Sequence, residues 1–165
     1  MARPNPIRTI MQAPLPSLTY QRRKLFRPTD ADVNYAYNIL NRYLFDNQLR
    51  QPDITQTITR RAWGTCQWFD NPQSAGSYCR ISLSNKWFCS QWFINTLAHE
   101  MAHQYQWDVY RWEHLDYYGR PMCDDSGGHG PSFFMWRDRF DHYGLVLKTA
   151  YGQRRWFKYQ NFSRC

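Results

Sequence analysis

Leu97-Ala98-His99-Glu100-Met101-Ala102-His103-Gln104-Tyr105 is the stretch whose reading decides the fold. It contains H-E-x-x-H, two histidines four residues apart with a glutamate directly after the first. On a helix, residues at i and i+4 stand one above the other, so both imidazoles can reach a single Zn²⁺. Glu100 is then placed to take a proton from water on that metal. The chain has five His and only two Glu, Glu100 and Glu113. At that composition the pattern would arise by chance on the order of 0.2% of the time.

The surroundings read as a helix. Ser90 is a reasonable N-cap, and Gln91 to Trp107 holds neither Gly nor Pro. At about 100° per residue with His99 at zero, His103 falls near 40° and Glu100 near 100°. Ile94, Leu97, Ala98, Met101 and Tyr105 fall between about 160° and 260°. The apolar stripe is opposite the His/Glu face, which suits a helix with one side on a core and the other on a cleft.

A catalytic zinc takes a third protein ligand and keeps one position open. Downstream candidates are Glu113, His114, Asp116, Asp124, Asp125 and His129. Gln106 and Val109 occupy the positions where a metzincin carries Gly and His, which excludes that pattern. A thermolysin-like glutamate about twenty residues on is also missing, with Asp124 and Asp125 there instead. His129 sits in Gly127-Gly128-His129-Gly130-Pro131-Ser132-Phe133. Glycines permit a tight turn and close backbone approach, and Pro131 suits the first turn of a new helix.

H-E-M-A-H-Q-Y followed by G-H-G-P-S-F resembles the SprT-like domain, the metalloprotease domain of Spartan-type proteins, which pairs H-E-x-x-H with a later H-G-x-x-F. Upstream, Trp63-Gly64-Thr65-Cys66 and Ala75-Gly76-Ser77-Tyr78-Cys79-Arg80-Ile81-Ser82-Leu83-Ser84 resemble the family's strand signatures. The similarity runs from about Thr29 to Leu147. It implies that His99, His103 and His129 hold zinc, that Glu100 is the catalytic base, and that substrates are proteins bound or crosslinked to DNA. Two features depart from the family: a long stretch between His103 and His129, and no C-x-x-C pair for a zinc ribbon.

A coarse pass divides the chain into a basic N-terminal arm (1–28), a metalloprotease domain (29–149) and a basic, aromatic tail (150–165). Five prolines make 1–28 read as extended. Thr29 or Asp30 caps a helix with Val33, Tyr37, Leu40 and Leu44 on one face, ending near Asn47. Ile54 to Arg60, Arg61 to Phe69 and Ser77 to Ser84 read as strands, and Leu145 to Thr149 as a short one. The expected fold is α+β and zincin-like: an N-terminal helix, a small mainly antiparallel sheet, the H-E-x-x-H helix and a following helix. An edge strand within Ser77 to Ser84 would hold an extended substrate. Tyr110, His114 and Tyr117 are candidates for stabilising the oxyanion.

The net charge of +8 is uneven. Residues 1–27 carry six Lys/Arg and no acid, and 148–165 carry five and no acid. Arg154-Arg155-Trp156-Phe157-Lys158 interleaves cations with rings, as single-stranded nucleic acid requires of a partner. The expected partners are therefore a protein substrate and DNA, single strands bound at least as well as duplex. No apolar run approaches a membrane span and no secretory signal opens the chain. The five cysteines, an odd set without framework spacing, read as reduced thiols. The expected location is cytoplasmic, or nuclear in a eukaryote, and not secreted. Two other classes fit the same residues: a nucleic-acid-binding module with structural zinc, and a zinc hydrolase of a non-protein substrate. The first would use four saturated ligands and leave Glu100 without a task.

Overall fold

The computed structural model describes residues 5–12, 26–57, 62–69, 78–87, 89–114, 117–119 and 128–150. The chain is α+β, as its patterning implies. Thr29 opens α2 (Asp30–Leu44) with a reciprocal box. Its hydroxyl accepts from the Asp32 amide at 3.2 Å, and the Asp32 carboxylate accepts from the Thr29 amide at 2.8 Å. Val33, Tyr37, Leu40 and Leu44 are all buried. The helix stops three residues earlier than expected, because Asp46 and Asn47 adopt left-handed φ of 54° and 59°. The Asn47 amide then returns to the Asn41 carbonyl.

Part of the arm before α2 is helical rather than extended, whereas Phe26 makes an isolated antiparallel bridge with Trp87. Asn5 Oδ1 accepts from the amides of Ile7 and Arg8, and Pro6 sits at the first turn of α1 (Pro6–Gln12). Ile7, Ile10 and Met11 are buried in the main core, so hydrophobic burial overrides the proline-rich composition.

Strands β1 (Asp53–Thr57), β2 (Gly64–Phe69) and β3 (Tyr78–Ser84) form a sheet in the order β1-β3-β2. It is mixed rather than mainly antiparallel: β1 runs parallel to β3, with Ile54 opposite Ile81, and β2 runs antiparallel, with Cys66 opposite Ile81. β3 is central, so the edge expected within Ser77 to Ser84 is not there. Cys79, Ile81 and Leu83 make β3 the most apolar strand, while β2 exposes Thr65 and Gln67. The most buried strand takes the middle and the more polar ones the edges.

α3 (Ser90–Tyr105) carries the H-E-x-x-H residues and is covered nearly all round. Cys89, not Ser90, is its N-cap, accepting from the Trp92 amide, while Ser90 Oγ donates to the Met11 carbonyl and ties down α1. Cys89 is disulfide-bonded, so the reading of five reduced thiols fails there, whereas Cys66 and Cys79 are free thiols with sulfurs 2.9 Å apart. The far end of α3 is fastened by Gln104, which is fully buried. Its Nε2 donates to the Arg50 carbonyl and the Asp108 carboxylate, and its Oε1 lies 3.0 Å from the Tyr37 hydroxyl. The helix then widens into a π turn, Gln106–Tyr110, and ends in α4 (Arg111–Glu113). No described helix is long and apolar enough to cross a membrane.

Pro131 does start a helix, α5 (Pro131–Phe134), which breaks before α6 (Arg137–Tyr143). Gly144, at φ 79°, ends α6. The segment after it is not a strand. Both polar groups of the Val146 main chain are taken by the Asn95 side chain, at 2.7 and 2.8 Å. Asn95 lies on α3 one turn before His99 and is fully buried. We expect Asn95→Ala to lower stability by about 2–4 kcal/mol in urea unfolding, since it removes two hydrogen bonds and strands buried main-chain groups. A loss below about 0.5 kcal/mol would show that solvent replaces Asn95.

Candidate metal centre

His99 and His103 project from one face of α3, and the turn before α5 brings His129 to them. His129 Nε2 lies 3.1 Å from His103 Nε2 and 3.4 Å from His99 Nε2. The three residues form the one His/Cys/Asp/Glu group among the described residues able to share an ion. Three ring nitrogens this close cannot all carry protons; one N–H can be shared among them, whereas a cation between them satisfies all three lone pairs at once. A tetrahedral ion with metal–nitrogen bonds of about 2.0–2.1 Å would hold its nitrogens roughly 3.3 Å apart. The donor set and its spacing therefore fit a metal ion.

Phe133 explains the spacing of H-G-x-x-F. Its ring, fully buried, lies 4.9, 4.6 and 4.8 Å from the rings of His99, His103 and His129. It backs all three imidazoles and excludes water from that side. Burial holds the His99 pKa down to about 3, with His103 and His129 adding to the effect and the Lys148 main chain opposing it. The ring is thus kept neutral, the form that ligates.

Glu100 faces β2. Burial pushes its pKa up to about 8, partly offset by a hydrogen bond from the Cys66 main chain. Gly64, at the start of β2, lets the strand cross directly over this carboxyl. A Cβ there would lie 2.8 Å from Glu100 Oε1 and 2.9 Å from Thr96 Cγ2. A cavity of about 210 Å³ opens beside it, walled by Trp63, Gly64, Thr96, His99, Glu100 and Thr149 among others.

The other described candidates are not part of the histidine group. His114 is exposed, stacks on Tyr110 at 3.9 Å and bonds the Tyr110 carbonyl through Nδ1. Glu113 is exposed, and Tyr117 is 96% exposed. None of Tyr110, His114 and Tyr117 walls the cavity beside Glu100. Asp116, Asp124, Asp125, Arg154, Arg155, Trp156 and Lys158 lie outside the described residues. Sequence reading missed Gln106, which bonds His103, and Ser132, which accepts from Gln106. Gln106 stands three residues after His103, a helical-face spacing that carried the signal.

The α+β fold and the three-histidine group fit a small zincin-like domain able to hold a metal ion. A family model described as the SprT-like family matches residues 33–151, and the chain belongs to that family. No curated protein matches it.

The tight crossing of β2 over Glu100 yields a prediction. Gly64→Ala should cost about 1–3 kcal/mol of stability through overpacking, and any activity of the site should fall by more than the folded fraction does. Thermal melts read beside turnover check this. Unchanged turnover would mean that Glu100 tolerates displacement.

Proposed function

We propose that the chain is a zinc-dependent peptidase that hydrolyses peptide bonds in DNA-associated or DNA-crosslinked proteins. The convergence of His99, His103 and His129, with His99 and the buried Glu100 in the wall of one cavity, carries this reading. Three ligands with an adjacent acid–base group favour catalysis over a structural ion, which would take four. When bound, the zinc would polarise the scissile carbonyl and acidify the attacking water.

The residues divide the remaining work. Glu100 accepts a proton from the attacking water and returns it to the leaving amine; the accepting carboxylate, which burial disfavours, would be favoured by a cation on the neighbouring histidines. The Cys66 main chain holds that carboxyl in place. β2 is the sheet edge beside Glu100, so an extended substrate would lie along it by main-chain hydrogen bonds. Family membership and the two basic ends of the chain support DNA as a partner. Arg154, Arg155, Trp156 and Lys158 are the proposed contacts, with bases stacked on the ring and phosphates paired with the cations.

The test is cleavage of a loosely folded protein by zinc-loaded enzyme, with and without single-stranded DNA. Glu100→Gln should keep zinc and lose cleavage by about 10²-fold or more. DNA should stimulate the wild type, and replacing Arg154, Arg155 and Lys158 with Ala should weaken DNA binding and flatten its salt dependence, at roughly 0.7 per lost phosphate contact. Wild-type cleavage by Glu100→Gln would remove Glu100 from the mechanism. Unaltered DNA affinity in the triple variant would remove the tail from the interface.

A further inference from the structure

His103 is held by more than the helix that carries it. Its Nδ1 lies 2.8 Å from Gln106 Oε1, and Gln106 Nε2 donates to Ser132 Oγ at 2.8 Å. An amide oxygen only accepts, so Nδ1 carries the proton and the Nε2 lone pair is left to face His99 and His129. Ser132 is 2% exposed and belongs to α5, three residues after His129. The chain of bonds therefore runs from one ligand, across the start of the π turn, to the element that delivers another.

We propose that Gln106 and Ser132 form a positioning pair, which fixes His103 in its ligating tautomer and locks the His129 turn onto α3. The proposal rests on the metal reading above. Gly128 supports the same lock. It has φ of 75°, and a Cβ there would lie 3.2 Å from His103 Cε1 and Nδ1 and 3.7 Å from Gln106 Oε1. The backbone just before His129 thus packs against the edge of the His103 ring that Gln106 grips. A water molecule could satisfy Nδ1 equally well, but it would not tie the two ligand-bearing elements together.

The test measures zinc affinity by chelator competition, together with the visible spectrum of the Co²⁺-loaded protein. Gln106→Leu should weaken zinc binding by about 10–100-fold, the usual range for removing a partner of a metal-ligating histidine, and alter the Co²⁺ bands. Ser132→Ala should give a smaller loss of the same sign. The double variant should bind no more weakly than Gln106→Leu alone, because the two residues act as a unit. Gln106→Glu should restore affinity to within a few-fold, since a carboxylate accepts from both His103 Nδ1 and Ser132 Oγ. Wild-type affinity in Gln106→Leu, or losses that multiply in the double variant, would overturn the pair. If Gln106→Leu does not fold, Ser132→Ala decides alone, and unchanged affinity there overturns the lock. Failure of the wild type itself to bind zinc would instead bring down the metal reading and the pair with it.

Discussion

Three crowded imidazoles, with His129 Nε2 at 3.1 Å from His103 Nε2 and 3.4 Å from His99 Nε2, set the terms for the rest of this structure. Such crowding suits a cation, which all three nitrogens can ligate, and burial opposes protonation of His99. His99 is buried and its pKa is held near 3. Phe133 closes the space behind the rings, and the Gly128 backbone presses on His103 from the side. The core is thus built to bring the rings together, at a cost that metal binding would offset.

The same burial shapes Glu100. β2 lies so close over the helix that only glycine fits at position 64, and the carboxyl loses most of its hydration. Its pKa rises because the charged form is the one that burial penalises. Glu100 and two of the three histidines, His99 and His103, share one helix, α3, and differ by the face they present. Asn95 and Gln104 anchor that helix on either side of the site through buried hydrogen bonds to the chain around Val146 and Arg50.

The parts with a period or a fixed spacing were legible in the sequence. The face of α2, the H-E-x-x-H helix and Pro131 as a helix start follow from local rules. His129 as the third member of the cluster rested on its glycine-rich setting and on family resemblance, and it does meet the other two. What the sequence hid depends on partners far along the chain. Strand order requires knowing which strand is most buried, and α1 forms on a core supplied by later residues. Leu145 to Thr149 has strand-like residues, yet Asn95, some fifty positions earlier, takes the hydrogen bonds of Val146.

X-ray absorption at the zinc edge of the loaded protein tests the central claim most directly. Three imidazole nitrogens and one further light atom at about 2.0–2.1 Å, with no sulfur and one imidazole fewer in His129→Ala, is the expected result. A sulfur ligand, or a coordination shell that His129→Ala leaves unchanged, would contradict the assignment of the site.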